Sequence, residues 1–416
     1  MEGATVEKQP WSGVLMAALL RPLALLWLAG VMLRLTILAL PPVLPSIEAE
    51  FNLRGYDIGV LTAIPPLFFA VAALPGAALI SRFGAVPSLV AGLLVNALGA
   101  AARGFVNGVI GLELTTCVMC LGVAVMQPAM PTLVRGWTPA RVGLASAVYT
   151  CGLLCGEVLP VLWPYSSDLP VIGGGWRAVL FQWSVPVLAT AAVIAALGPR
   201  PPRKQDLRVA RAWPDWRQGS VWKVGLLLGA VNASYFGLNG FLPGWLSKAG
   251  GSSQIQPALL ALNAAQIPAS LLMMIYVERL ALRRVGYAIA GLVVLAGSVG
   301  LATAHAALAV AFATVAGFSL GCLLTMALAL PPLTVAAQDV PSFSAAVFTV
   351  SYALAVLTAL VTGVLQSLGT GQFVSILPIA AAALAVVAVG ATIRRPADPQ
   401  DPEGSDRGKQ GGRRSC

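Results

Sequence analysis

The sequence predicts an all-α integral membrane protein, with twelve transmembrane helices in two six-helix bundles related by a pseudo-twofold axis. Three observations predict it. Of 416 residues, 58% are hydrophobic and only 10% are charged, with a mean hydropathy of +0.83. Soluble domains carry roughly 25% charged residues, because charge keeps their surface in water. Apolar windows of about twenty residues, long enough to cross a bilayer, recur along the whole chain. Prolines, arginines and glycines in the two halves also match at an offset near 200. The 43 glycines and 30 prolines fit this class, since membrane helices tolerate both where neighbouring helices, hydroxyls and waters satisfy the freed backbone groups.

In order, the arm 1–22 is expected to be cytosolic, with 11–20 lying on the membrane surface. The first apolar stretch, 23–45, is too long for a signal-peptide core and is expected to be retained. Further spans are expected at 58–80, 86–108, 109–134, 143–165 and 177–198. The polar stretch 199–220 is expected to be a cytosolic loop between the halves. A second set follows at 221–246, 255–277, 285–304, 306–333, 343–366 and 371–393, and the tail 394–416 is rich in Pro, Gly and charge, which predicts disorder. The N-terminal bundle is therefore 23–198 and the C-terminal bundle 221–393.

The repeat rests on matched pairs: Pro45 with Pro243, Pro65 with Pro268, Arg82-Phe-Gly84 with Arg284-Val-Gly286, Pro131 with Pro332, and Pro139 with Pro341. One such match means nothing, because prolines are frequent in these helices. Five near one offset indicate two halves of common design, an architecture that transporters use with a binding site between the halves at mid-membrane. Orientation follows from basic residues. With both termini inside, inner segments hold 21 Lys and Arg and outer segments four, namely Arg54, Arg103, Arg177 and Lys248. Basic loops resist translocation, so the ends are expected to be cytoplasmic, in a bacterial inner membrane. The formal net charge of +10 belongs to this pattern and predicts no nucleic-acid partner. Lipid is the expected surrounding partner, and the protein is expected to work as a monomer.

One basic residue remains. Arg34 lies mid-span in LAGVMLRLTILALPP, where a guanidinium costs at least a few kcal/mol and cannot shed its proton. Either it is a fixed charge that draws an anionic or polar solute into a central cavity, or it forms a structural ion pair with an intramembrane acid. Two acids are placed to answer it. Glu157 lies well inside the fifth span, near the depth of Arg34. Glu113 lies near the outer end of the fourth, where pairing with Arg103 or Arg177 is the plainer reading. A glutamate shared with an arginine in this way can carry a coupling proton.

The repeat offset carries Arg34 onto Asn232 in the seventh span. Asn232, Tyr235 and Asn239 follow i, i+3, i+7 spacing and share one helix face. Amides and a phenol on one face suit a cavity wall that hydrogen-bonds a solute. Hydrogen bonding between helices is the alternative. Gln127 in the fourth span and Gln266 in the eighth are further cavity candidates on the same logic.

Other chemistry is not legible. No Gly-x-x-x-x-Gly-Lys-Ser/Thr loop is present to bind ATP, and neither a nucleophile–base pair nor a metal cluster stands out. His305 falls in a short outer turn without metal-ligand company. No cofactor, metal or enzymatic activity is therefore expected. Of the six cysteines, five fall in apolar stretches as small packing residues, and Cys117-x-x-Cys120 is read as packing ahead of a redox pair.

Twelve spans, a basic central loop and an Arg-Phe-Gly turn after the second span resemble the major facilitator superfamily. Its signature turn, Gly-x-Leu-x-Asp-Arg-x-Gly, corresponds here to Ala77-Ala-Leu-Ile-Ser81-Arg82-Phe-Gly84, which lacks the first Gly and the Asp. Within the superfamily the chain resembles the cyanate and 2-nitroimidazole transporter branch. That resemblance is carried by Leu33-Arg34 with Pro42 and Pro45, by Pro128-Ala-Met-Pro131-Thr-Leu-Val, by Arg141-Val-Gly-Leu-Ala-Ser-Ala-Val-Tyr149, by Gly175-Trp176-Arg177, and by Tyr235-Phe-Gly-Leu-Asn239-Gly-Phe-Leu-Pro243-Gly-Trp-Leu. It implies alternating access by rocking of two bundles, with helices one, four, seven and ten lining the pathway. It marks Arg34 and the Tyr235–Asn239 stripe as cavity positions, and Arg82, Gly84, Arg284 and Gly286 as gating turns.

The function expected is secondary active transport of a small anionic or polar organic solute, driven by its own gradient or by protons. An exporter of drugs or toxic metabolites on the same scaffold is the alternative, and it calls for a wider, aromatic-lined and often acidic chamber. A receptor that binds without transporting calls for a soluble output domain, and the tail 394–416 is too short for one.

Overall fold

The computed structural model describes residues 13–53, 55–162, 175–199, 213–248, 250–303, 306–367 and 372–393, and among them every regular element is a helix. The first span is built from α1 (Gly13–Met32) and, after a break at Leu33-Arg34, α2 (Leu35–Leu38). A 3-10 turn at Pro41–Val43 then leads into the short α3 (Leu44–Phe51). Next come α4 (Gly55–Phe83), α5 (Ala85–Ala102), α6 (Val109–Trp137) and α7 (Val142–Leu162). The sixth span is divided into α8 (Trp176–Gln182) and α9 (Ser184–Leu197).

In the second half, α10 (Gly219–Lys248) is followed by α11 (Ile255–Ala264) and α12 (Gln266–Leu280), which together make the eighth span. Then come α13 (Arg284–Thr303), α14 (Ala306–Thr334), α15 (Val340–Ser367) and α16 (Gln372–Gly390). Eleven stretches are long and apolar enough to cross a membrane, and α16 adds the shorter apolar segment Ile376–Gly390. The spans lie within a few residues of those predicted. One difference is at the start, where α1 begins at Gly13 and so takes in most of the segment expected on the membrane surface. Residues 1–12 of the N-terminal arm, 200–212 of the predicted loop 199–220, His305 and the tail 394–416 lie outside the described residues.

Helix packing carries the twofold design. In the first half α1 packs on α7, α4 on α6, α5 on α6 and α5 on α9; in the second α10 packs on α15, α12 on α14, α13 on α14 and α13 on α16. Span for span, each of these four contacts has its counterpart in the other half. The halves meet through two equivalent contacts, α4 on α15 and α12 on α7, with α6 and α14 between them. Small residues make the closest approaches possible. A Cβ at Gly152 or Gly156 of α7 would run into the backbone oxygens of Trp27 and Val31 of α1. Away from these contacts, Leu67, Val71, Leu98, Ile110 and Leu114 are exposed, as lipid-facing positions should be when no water competes for them.

The matched prolines play unequal parts. Pro139 opens α7 through a 3-10 turn, and Pro341 is the second residue of α15, a position where a missing N–H costs nothing. Pro45 lies in α3, beyond the first span, whereas α10 passes through Pro243 without interruption. The Arg-x-Gly turns differ as well. Gly84 stands between α4 and α5 at φ +91°, a conformation only glycine adopts freely. Gly286 is already the third residue of α13, against Met326. Arg82 and Arg284 are both exposed beside these connections.

Candidate functional site

The break in the first span presents Arg34. Leu33 and Arg34 make tightened i→i−3 bonds to Gly30 and Val31, which leaves nearby carbonyls without helical partners. Side chains from α5 and the turn after it take them up. Asn96 Nδ2 donates to Met32 O at 3.2 Å, and Arg103 Nη2 donates to Thr36 O at 2.7 Å. Thr36 Oγ1 in turn donates to Asn96 Oδ1 at 2.9 Å. Buried carbonyls left open would each cost about 1–3 kcal/mol, so this network is what makes the broken helix tenable.

Held there, Arg34 is 5% exposed. Its Nε lies 3.3 Å from Oε1 of Glu157, which is also 5% exposed. Arg34 Nη2 donates to Tyr352 Oη of α15 at 3.2 Å, and Gln127 Nε2 of α6 donates to the same oxygen at 3.0 Å. The Phe69 ring lies 5.6 Å from the guanidinium carbon. On the other side of the pair, the Tyr235 hydroxyl faces two acceptors, Glu157 Oε2 at 3.0 Å and Asn263 Oδ1 at 2.9 Å. Asn263 donates to Asn239 Oδ1 at 2.8 Å, and Asn232 donates to Ser351 Oγ at 2.8 Å.

A small pocket of about 10 Å³, room for little more than a water molecule, lies in this cluster between the halves, lined by Arg34, Glu157, Asn232, Tyr235 and Gln266, with Val231 of α10 and Leu320 and Leu324 of α14 on its aliphatic side. Gln127 and Asn239 are joined to it through Tyr352 and Asn263. Gln266 is 1% exposed, and its side-chain bond, to Leu262 O, is long at 3.5 Å. Glu113 stands apart on α6, and the ion pairs among the described residues do not include it. Arg177 goes instead to Glu50 of α3, through two bonds of 2.7 and 3.0 Å. Arg103, assigned from the sequence to an outer loop, is fully buried.

Tyr352, Asn263 and Ser351 were missed in the sequence. The polar pair Ser351-Tyr352 in the middle of an apolar span was the available signal for two of them. Asn263 carried none beyond its place three residues before Gln266. The five cysteines among the described residues are free thiols, and those residues contain no group of three or more His, Cys, Asp or Glu able to hold a metal.

A duplicated six-helix design with a polar, charged pocket at the meeting of its halves defines the class of membrane transporters. The sequence model of the Major Facilitator Superfamily matches residues 26–265, more than half of the chain, and the chain belongs to that superfamily: it is a multi-pass membrane transporter of small solutes. Among its relatives, the 2-nitroimidazole transporter of Escherichia coli K12 is 28% identical over 274 residues, covering 65% of this chain and 68% of that protein. The transporter YycB of Bacillus subtilis 168 is 25% identical over 304 residues, covering 72% of this chain and 74% of that one. The cyanate transport protein CynX of E. coli K12 is 24% identical over 304 residues, covering 72% and 77%. The fold is that of FucP, a superfamily transporter solved in an outward conformation, at a TM-score of 0.68 and 13% identity over 89% of this chain and 97% of that one.

Proposed function

We propose that the chain is a secondary active transporter that moves a small anionic or polar organic solute by alternating access, with Arg34 as the charge that draws the solute in. The observation that carries this reading is the place of Arg34, a permanent cation lining the pocket where the two halves meet. A charge at that depth is costly, and membrane-buried charges are as a rule functional. Solute binding draws Arg34 away from Glu157, and the released carboxylate takes up the coupling proton, since a buried and unpaired carboxylate favours its neutral form. Rocking of the halves then exposes the pocket to the other side.

Relatives named for 2-nitroimidazole and cyanate support a small polar solute. The pocket supports it too, since two amides, a phenol and an ion pair converge on one small space, whereas a drug exporter calls for a wide aromatic chamber. In this reading both termini face the cytoplasm of a bacterial cell, a topology that the distribution of basic residues supports, the working unit is a monomer, and the two bundles 23–198 and 221–393 are the moving bodies. Reconstitution into liposomes tests the reading. Arg34→Ala and Arg34→Lys should insert normally and lose uptake. Glu157→Gln should lose proton-driven accumulation and keep counterflow exchange. Wild-type uptake in Arg34→Ala would refute the role given to Arg34.

A further inference from the structure

The geometry points to a carboxylate as the chemical group that Arg34 receives, docked on one edge of the guanidinium, and to Tyr352 as the residue the solute displaces. This inference rests on the reading of the pocket given above and makes it narrower.

Nε and Nη2 lie on the same edge of the guanidinium plane, the edge that binds a carboxylate through two parallel N–H···O bonds. In this structure two separate groups share that edge, Glu157 Oε1 at 3.3 Å from Nε and Tyr352 Oη at 3.2 Å from Nη2. Both distances exceed the 2.7–2.9 Å or so of a charge-assisted bond. Nε is buried and makes no hydrogen bond of acceptable geometry, even to the nearby carboxylate. The edge is thus covered but poorly satisfied, and one of its two occupants is a neutral phenol.

The surroundings specify what would fit better. Phe69 lies over the guanidinium, which favours approach in the plane. Gln127 Nε2 converges on the Tyr352 oxygen from a second direction. An oxygen in the place of Tyr352 Oη would therefore receive two N–H donors, and a second oxygen joined to it in the same plane would receive Nε. A carboxylate has this shape and also brings the negative charge that the phenol lacks. A linear anion offers one terminal atom to each side and engages half of the edge. A second carboxylate at the guanidinium competes with Glu157 for Nε and repels it, which fits the release of Glu157 in the transport cycle proposed above. Tyr235, Asn263, Asn232, Gln266 and the displaced Tyr352 are the other polar groups around the pair.

The test is thermal melting of the purified protein with acetate, propionate and benzoate, against thiocyanate, cyanate and chloride as single-point or linear anions. Wild type, Tyr352→Phe and Arg34→Lys are compared. Carboxylates should raise the melting temperature of the wild type and the other anions should not. Tyr352→Phe should melt lower without ligand, because Arg34 Nη2 and Gln127 Nε2 lose their acceptor. It should nonetheless bind carboxylates roughly three- to tenfold more tightly, the size of one competing hydrogen bond removed. A merely structural tyrosine would lower both. Arg34→Lys should abolish the carboxylate effect, since an ammonium cannot present two parallel donors. Stabilisation by linear anions equal to that by carboxylates, unchanged affinity in Tyr352→Phe, or no response to any carboxylate overturns the inference. If a ligand without a carboxylate binds in an Arg34-dependent way, the inference fails and the proposed function stands. Binding independent of Arg34 removes both.

Discussion

Two arginine–glutamate pairs in this protein have opposite characters. At the outer pair, Arg177 grips Glu50 with two bonds of 2.7 and 3.0 Å, and Trp176 Nε1 adds a third at 2.7 Å, although the Glu50 side chain is 44% exposed. At mid-membrane, Arg34 and Glu157 touch at 3.3 Å while almost fully buried. Good geometry thus occurs where water makes it worth little, and poor geometry where a charge is most costly to leave unsatisfied. The difference teaches that the outer pair fastens α3 to α8, whereas the inner pair is held loosely, as the proposed transport cycle would need. Arg103 gives a third case: fully buried, it reaches a backbone carbonyl and no carboxylate. Its task is to hold the broken helix that carries Arg34.

The largest effect should come from splitting the inner pair. Arg34→Ala leaves Glu157 buried without its cation and should cost about 3–5 kcal/mol, together with all uptake. Adding Glu157→Ala should recover most of the stability, read by thermal melting, and none of the transport. Arg177→Ala should keep uptake near wild type, and a loss as large as in Arg34→Ala would erase the contrast between the pairs.

Next in size is the support beneath Arg34. Asn96→Ala opens the Met32 carbonyl and the Thr36 hydroxyl at once and should cost about 1–3 kcal/mol. Transport should fall as well, because Arg34 loses its fixed position; normal uptake at reduced stability would separate the network from the site. Gly156→Ala should cost a comparable 1–3 kcal/mol or so by pressing a methyl group onto the Val31 carbonyl and prising α1 from α7.

The smallest effect belongs to Glu50. Hydrogen bonds from Arg177 and Trp176 hold its carboxyl below the usual carboxylate range. A depressed folded-state pKa means that its contribution is present above the unfolded value of about 4.3 and is lost as pH falls through the lower folded value. Melting curves of wild type and Glu50→Gln should therefore differ slightly near neutral pH and converge in acid. A constant difference at every pH would show that the charge on Glu50 plays no part.

Much of the fold was legible because spans obey a strict local rule. A bilayer demands about twenty apolar residues, whatever the neighbours are, so every predicted span lies close to an observed helix. The site was legible only in part. Arg34, Glu157, Asn232, Tyr235 and Gln266 stand out as polar residues in apolar runs, and they meet around one pocket. Glu113 stands out equally and lies elsewhere. Arg103 looked like an ordinary loop cation, because nothing in its neighbours along the chain announces the carbonyl it serves on another helix.

The sequence by itself determined the class of the molecule: a polytopic membrane protein in two like halves, with a cation at mid-span. These follow from transfer energies and repeat spacing, which add up along the chain. Only the tertiary structure decided which groups surround that cation. Tyr352 is 318 residues from Arg34 and Glu157 is on another helix, and partners that distant are chosen by how helices pack, a property no local stretch of residues records.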